Sequence, residues 1–569
     1  MRTIRRGAAP GAALLVALLA CAHPVAAQSP GAAGIATPIS PAPLPITEGA
    51  SDPRTGPRGS ALNLGTLGFP IGLVGEAPGG TPRAYTILPS IAVEAIATDN
   101  VNGTRQDRRS DVILSVTPSL AVNFDTASVK GVLAYSPRFQ YYVSTPDQQR
   151  LDHFFNGQAL ITLVEERLFV DVRGTSSVRS LSGGFATGSN TVVDRDNRLQ
   201  TTTFQITPFT QFRFPNIGVA QVGYTFQYVE QSAGGNGLGG GSSSSLAGGG
   251  TGAGGIGALG FFSAGDFVSH EVFATLRSEE FDRYSFFARI SDTEYDGRGV
   301  LDGAYRRIAV VENRYAITQN IAALLDLGYE QQHYGGPRPF DVDGPVWAVG
   351  AQATGPSGYV IVKYGRRDGF ESLRLDASFQ VAPRTRLNAR YEERLTTTSL
   401  LAASRLASSR LDAVGNVVDP VTGIPISPVL TDELLAVQGG LQKTTAASVG
   451  LTHIRLRDTY TLSLTREERT PVNAAPGAAV FQQTAQSVGL SWVRELRPDL
   501  SGALFVQYGT IESSGRPDTD VYSAGVALTQ DFGQGLRGTL QYRITSREEI
   551  SGGGRALQNL ILVGLRKDF

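Results

Sequence analysis

From Tyr85 to the last residue, apolar and polar side chains alternate with a period of two. Val112, Leu114, Val116, Pro118, Leu120, Val122 and Phe124 fall on one side of an extended chain. Ile113, Ser115, Thr117, Ser119, Ala121, Asn123 and Asp125 fall on the other. A helix would not separate these two sets. The run also outlasts the usual strand of a soluble domain, about 5–6 residues. The pattern returns in Val129–Tyr141, Ala220–Tyr228, Tyr284–Ser291, Ile321–Glu330, Leu373–Val381 and Leu500–Tyr508. One face of each run is almost wholly apolar, and the opposite face carries Arg, Asp, Gln and Ser. A soluble sandwich would have to cover that apolar face with a second sheet.

The connections alternate in length as well. Short turns are expected at Asp125–Ser128, Glu165–Arg167, Phe214–Ile217, Ser278–Arg283, Gly355–Ser357, Ala382–Thr385, Glu495–Asp499 and Gly533–Gly535. Long polar loops are expected at Thr98–Ser110, Ser176–Arg198, Glu230–Asp266, Ser291–Gly303 and Arg394–Gly440. Short turns at one end and long loops at the other are the habit of outer-membrane barrels. The expected fold is all-β: a transmembrane antiparallel up-and-down β-barrel over residues 83–569, with about 22 strands and a range of roughly 18 to 24. An even count puts both ends of the barrel on one side. Aromatic residues such as Tyr141-Tyr142, Phe154-Phe155, Tyr228, Phe286-Phe287 and Tyr364 sit toward strand ends and suggest an interfacial girdle.

Alternation assigns a face to each charged residue. Arg138, Asp171, Arg173, Arg289, Asp326, Glu330, Arg374 and Asp376 lie opposite the apolar positions and are the candidate lumen-lining residues. The final run, Ala556–Phe569, turns apolar at Ile561, Val563 and Leu565 and ends on Phe569. It resembles the closing strand of bacterial outer-membrane barrels, whose terminal aromatic the barrel assembly machinery reads. Phe569 is therefore the candidate assembly signal. The alternative for this stretch taken alone is the edge strand of a soluble sheet.

The N-terminus reads as a targeting segment. Arg2, Arg5 and Arg6 precede the apolar run Ala12–Ala20, and Val25-Ala26-Ala27 offers small residues for cleavage before Gln28. A secretory signal peptide over residues 1–27 is expected. Leu18-Leu19-Ala20-Cys21 resembles a bacterial lipobox, so lipidation at Cys21 is the alternative to cleavage after Ala27. Residues 28–82 are rich in Pro, Gly, Ala and Ser and read as a flexible periplasmic segment. The chain holds 569 residues with a single cysteine, which excludes an intramolecular disulfide. Its formal net charge of −1 points away from nucleic acid as a partner. The Gly/Ser tract Gly234–Gly260 lacks large side chains and reads as a flexible external loop, with no phosphate-loop signature after it.

Several segments, in order, resemble the family of bacterial outer-membrane barrels called β-barrel porin type 2. Some of its members accompany exosortase/PEP-CTERM and exopolysaccharide systems. The residues that carry the resemblance are Tyr85–Ser90, Thr98–Val101, Ser110-Asp111, Thr117–Leu120, Tyr135–Pro137 and Leu163–Asp171. The likeness is densest over residues 83–180. It implies a barrel in the outer membrane of a Gram-negative bacterium, without fixing a substrate. The Gly-rich tract and the Arg394–Gly440 insertion depart from the pattern.

Enzymatic chemistry finds little support. His153, His270, His333 and His453 are scattered over separate runs, and no GxSxG elbow, HExxH helix or Cys/His cluster occurs. Asp99, Asp107 and Asp111 lack the Gly and Glu of a calcium loop. No cofactor and no metal site is expected. The composition and pattern therefore imply a porin-like channel that takes small polar solutes or serves exopolysaccharide export, with outer-membrane lipid around it. The alternative is a structural or adhesive surface barrel with a plugged lumen. Oligomeric state is not legible in the sequence.

Overall fold

Each alternating run forms one strand, because a period of two offers an extended chain one face for an apolar medium and one for a polar one. The computed structural model describes residues 84–181, 197–233, 265–279, 281–336, 338–408, 410–411, 417–418, 434–472, 482–549 and 554–569. The expected signal peptide, the 28–82 segment, Cys21 and the tract Gly234–Gly260 lie outside these residues.

In chain order the strands are β1 Tyr85–Thr98, β2 Asp111–Asp125, β3 Val129–Tyr142, β4 Arg150–Val164, β5 Leu168–Ser180, β6 Arg198–Phe214 and β7 Gly218–Ala233. They continue with β8 Phe267–Ser278, β9 Tyr284–Gly297, β10 Tyr305–Ala316, β11 Ile321–Tyr334, β12 Phe340–Gly355, β13 Gly358–Arg367, β14 Phe370–Ala382 and β15 Thr385–Thr396. The last set is β16 Gln442–Arg455, β17 Asp458–Pro471, β18 Gln483–Arg497, β19 Leu500–Ser513, β20 Thr519–Gly533, β21 Leu536–Glu549 and β22 Arg555–Asp568. Among the described residues one α-helix, α1, spans Thr398–Ser408. A two-residue ladder pairs Arg410–Leu411 with Val417–Val418.

Each strand pairs antiparallel with its neighbours in sequence, and β1 pairs with β22, so the sheet is a closed 22-stranded up-and-down barrel. The closing register runs from Ser90 opposite Asp568 to Thr98 opposite Leu560. The Phe569 N–H donates to the Pro89 carbonyl at 3.0 Å and extends the seam by one residue. On the inner side of the seam, Ala92, Ile96, Ile113, Tyr142, Leu560 and Leu562 form a buried apolar cluster. Both ends of the barrel chain thus lie at one rim, called the lower rim here.

The lower rim holds the tight turns. Glu166, Asn216, Asp282, Leu456 and Gln534 take positive φ there, as hairpin turns matched to the strand twist require. The opposite, upper rim carries the longer connections. Two expectations change here. The segment Ser291–Gly303 is not a loop: β9 runs on to Gly297, and a short 3-10 turn, Gly299–Leu301, precedes β10. Its outward Asp292 pairs with Arg307 of β10, so both faces are polar above the apolar belt and alternation fades. The aromatic girdle is thinner than expected. Tyr141 and Tyr364 face outward, whereas Tyr142, Phe154 and Phe287 are buried on the inner side. Adjacent aromatics on a strand necessarily send one ring to each face.

The role of Phe569 is testable. Deleting it should lower the fraction of folded barrel, read by heat-modifiable gel migration, while export is unchanged. An unaltered folded fraction would show the terminal ring to be incidental.

Candidate functional site: the inner face of the barrel

Strand β11 shows how the wall sorts its side chains. Leu325, Leu327 and Tyr329 point outward with 41%, 51% and 50% of their surface exposed, while Leu324, Asp326 and Glu330 are buried inward. Around the barrel the outward set is predominantly apolar, and the inward set mixes charged and polar side chains with apolar clusters. The structure places Arg138, Asp171, Arg173, Arg289, Asp326, Glu330, Arg374 and Asp376 on the inner face, but on several separate stretches of it rather than in one cluster. Arg138 donates to Glu94 at 3.2 Å. Arg173 grips Asp171 with two hydrogen bonds of 2.8 and 3.0 Å. Arg289 pairs with Glu271, and the Tyr359 hydroxyl donates to Asp376 at 2.7 Å. Lys363 bridges Asp326 at 2.9 Å and Glu312 at 3.1 Å. Arg469 pairs with Glu467 at 2.7 Å.

The partners Glu94, Glu271, Glu312, Lys363, Glu467 and Arg469 were not singled out by the sequence reading. Alternation would have put each of them on the inner face. The pairing itself depends on register between strands, which a single sequence does not display.

The connection between β15 and β16 is the largest departure. The run Arg394–Gly440 was expected to be an external loop; of its described residues, α1 and the segment from Leu434 onward lie inside the barrel. Thr397 caps α1, its hydroxyl accepting from the Leu400 N–H at 3.1 Å. Leu401, Ala403, Leu406 and Ala407 are buried. The helix packs against β5, β6 and β7, across the lumen from β15. Arg173 donates to the Ala407 carbonyl at 2.5 Å, satisfying a helix end that has no intrahelical partner.

After the helix, the segment 434–441 returns along the inside. Leu434 and Leu435 pack on Ala485, Ile511 and Val521 of β18, β19 and β20. The Val437 N–H donates to the Leu181 carbonyl at 2.9 Å, and the Thr398 hydroxyl donates to the Gln438 carbonyl at 2.9 Å. Val229, Phe267, Leu301, Tyr334, Ala403 and Leu441 close this side of the upper lumen with apolar side chains. Toward the lower rim the inward residues Gln211, Gln221, Arg386, Asn388 and Thr461 are half-buried. The lumen is narrowed in its upper half by chain that the barrel itself supplies.

A second element leans inward. The tip of the β13–β14 hairpin is Asp368-Gly369, both at positive φ. The Asp368 carboxylate accepts from Gln332 at 2.9 Å, from Arg306 at 3.4 Å and from the Leu395 N–H at 3.4 Å. Glu330 accepts from the Gly369 N–H at 3.1 Å. A Cβ on Gly369 would come within 3.2 Å of Val342, so the close approach and the positive φ both favour glycine. These partners stand on β10, β11, β12 and β15. The ladder between β14 and β15 starts at Leu375 opposite Tyr391, leaving Phe370–Arg374 unpaired on that side.

The four histidines among the described residues lie on four separate strands. His153 contacts Tyr135, His270 contacts Tyr224, His333 contacts Asp341 and His453 contacts Thr385. Among the described residues no group of three or more potential metal ligands is found.

No family model matches the sequence, and no curated protein does. Among solved structures the chain is similar to the Escherichia coli K12 ferric-catecholate import receptor Fiu in its open form, at 10% identity and a TM-score of 0.44. That match covers 84% of this chain and 81% of the other. It is similar to the FrpB iron transporter of Neisseria meningitidis at 7% identity and a TM-score of 0.46, over 85% of this chain and 82% of that one. It is similar to Pseudomonas aeruginosa OpdK at 8% identity and a TM-score of 0.34, over 85% of this chain and 99% of that one. Likeness this loose carries no substrate across.

The Lys363 bridge gives a direct test of the wall. Lys363→Ala leaves Glu312 and Asp326 without their counter-cation and should cost roughly 3 kcal/mol of stability. The measurement is the unfolding midpoint in detergent, and Glu312→Gln in the same background should recover part of the loss. An unchanged midpoint would mean that the lumen solvates these carboxylates.

Proposed function

We propose that the protein is an outer-membrane channel of a Gram-negative bacterium that passes small polar solutes. The observation that supports this most strongly is the two-faced closed barrel itself, with an apolar outer surface and an inner surface of ion pairs. Lipid has no hydrogen bonds to offer a backbone, so a strand protein can span it only as a closed barrel. Twenty-two strands enclose a space wider than side chains from the wall can fill. Delivery by a signal peptide and insertion by the barrel assembly machinery belong to the same reading.

The in-folded α1 and 434–441 segment favour small solutes over an exopolysaccharide strand, because a polymer would need both to move aside. The inner wall presents charge of both signs, which suits a general polar path. No catalytic role is assigned: the described histidines stand apart, and the inner carboxylates named above are held by cations, hydroxyls or amide N–H groups. A surface barrel whose lumen is sealed by α1 is the competing reading, and α1 is the observation in its favour.

Planar-bilayer recording separates the two. Reconstituted protein should open ion-conducting pores. Thr396 pairs with Gln442, so residues 398–440 can be replaced by a short turn without moving either strand. That deletion should raise single-channel conductance. A folded protein that conducts in neither form would leave the sealed surface barrel as the function.

A further inference from the structure

Across β16, β17 and β18 the outer face changes chemistry rung by rung toward the lower rim. Leu451, Leu462 and Leu490 stand opposite one another in the ladder. The next outward rung down is His453, Tyr460 and Trp492. Below it come Arg455, Asp458 and Arg494, and the turn from β16 to β17 ends the face with Leu456 and Arg457. Apolar, aromatic and charged rungs in this order mark the passage from hydrocarbon to headgroups. The Tyr460 and Trp492 rings stack with 3° between their planes and centroids 6.3 Å apart. The Trp492 indole N–H donates to Asp458 at 2.9 Å and ties the aromatic rung to the charged one. The charged rung therefore sits at the level of lipid phosphates.

One carboxylate stands here among three guanidiniums. Asp458 takes the indole N–H and pairs with Arg494 at 3.5 Å. Glu495, next to Arg494 on β18, takes the opposite face of the strand. The adjoining β14–β15 turn adds Arg384, and no acidic residue occurs from Ala377 to Tyr391. On the other side Asp499 pairs with Arg497. This corner is thus cationic on a chain whose formal net charge is −1. Leu456 points the same way. Glu166, Asn216, Asp282 and Gln534 hold positive φ at other lower-rim turns and are polar, whereas Leu456 takes φ 48° with an apolar side chain that is 84% exposed. Left-handed backbone is unfavourable for a bulky residue, and water is unfavourable for an apolar one. An interfacial lipid layer removes the second cost, and Arg455 and Arg457 flank the leucine with charge for the headgroups.

We propose that this corner of the barrel binds the headgroup of an anionic phospholipid in the leaflet at the lower rim, with Arg455, Arg457 and Arg494 on the phosphate and Trp492 beside the upper acyl chain. A guanidinium fork matches a phosphate in shape and charge. A zwitterionic headgroup carries its own cation, so the surplus of guanidinium selects a lipid of net negative charge. Binding here rests on the membrane location of the barrel and not on conduction.

The chain has two tryptophans, so Trp347→Phe leaves Trp492 as the sole indole. The full-length protein with this change is reconstituted in vesicles of equal parts phosphatidylglycerol and phosphatidylcholine. Bromine is carried on the acyl chains of one lipid and then of the other, because bromine quenches an indole only on contact. The quenching ratio at Trp492 should favour phosphatidylglycerol by about threefold or more at low salt and fall toward parity at high salt. Arg455→Gln together with Arg457→Gln, both exposed, should bring the ratio to about one, with heat-modifiable migration as the check on folding. Arg457→Gln alone should remove about half of the preference if the double variant fails to fold. The control keeps Trp347 and carries Trp492→Phe. The Trp347 rung holds one cation, Arg366, and one anion, Glu371, so its ratio should stay at about one. Equal quenching by the two lipids at Trp492, or a preference that survives the arginine changes, would overturn the proposal. An equal preference at Trp347 would overturn it too, because the whole barrel would then attract the lipid. Quenching by neither lipid at either indole would overturn the membrane location, and the lipid site with it.

Discussion

The structure depends on one constraint: in a closed sheet no strand keeps an unpaired edge. The seam between β1 and β22 satisfies this over Ser90–Thr98 and Leu560–Asp568, and Phe569 adds one more hydrogen bond at its lower end. Once the ladder is closed, the period of two does the rest. Every second side chain must face outward, and the rest must face a common interior. The apolar outer surface and the charged inner surface follow from the same backbone geometry.

Closure also creates a problem that the inner elements address. A ring of this many strands encloses more space than its own side chains fill. The chain places α1 and the 434–441 segment inside the upper half, anchored to β5, β6 and β7 on one side and to β18, β19 and β20 on the other. The Asp368-Gly369 tip narrows the same half from a third direction. Its departure from the wall interrupts the β14–β15 ladder, and the Asp368 carboxylate takes the Leu395 N–H that a strand would otherwise have paired. The two in-folded elements meet different chemistry. The helix packs through apolar side chains, whereas the hairpin tip is held by charged and polar side chains.

Much of the wall was legible in the sequence. Val112–Phe124 and Ile321–Tyr329 alternate cleanly because outward-facing and inward-facing positions carry opposite chemistry. Tight turns such as Glu165–Arg167 and Gly533–Gly535 were legible from composition and spacing. Legibility failed where both faces are polar, as at Asp292 and Glu294 above the apolar belt, so the upper end of β9 read as loop. Helix α1 was missed although Thr397 caps it and Leu400, Leu401, Ala403, Leu406 and Ala407 follow at helical spacing. Those signals sat inside a long insertion whose surroundings read as polar loop. The eight candidate lumen residues could be assigned a face by parity alone. Their partners could not, because Lys363 meets Glu312 through strands that the chain visits far apart. Nothing local in Arg367-Asp368-Gly369 distinguishes a hairpin tip that leans inward from one that stands upright.

The central claim is that one face of the sheet meets lipid and the other does not. Spin labels on single cysteines placed in turn at positions 324 to 329 of β11 would test it in reconstituted bilayers. Accessibility to dissolved oxygen, which concentrates in hydrocarbon, should peak at Leu325, Leu327 and Tyr329 and fall at Leu324, Asp326 and Gly328. A flat profile, or outward positions more accessible to a water-soluble relaxant than to oxygen, would contradict the account.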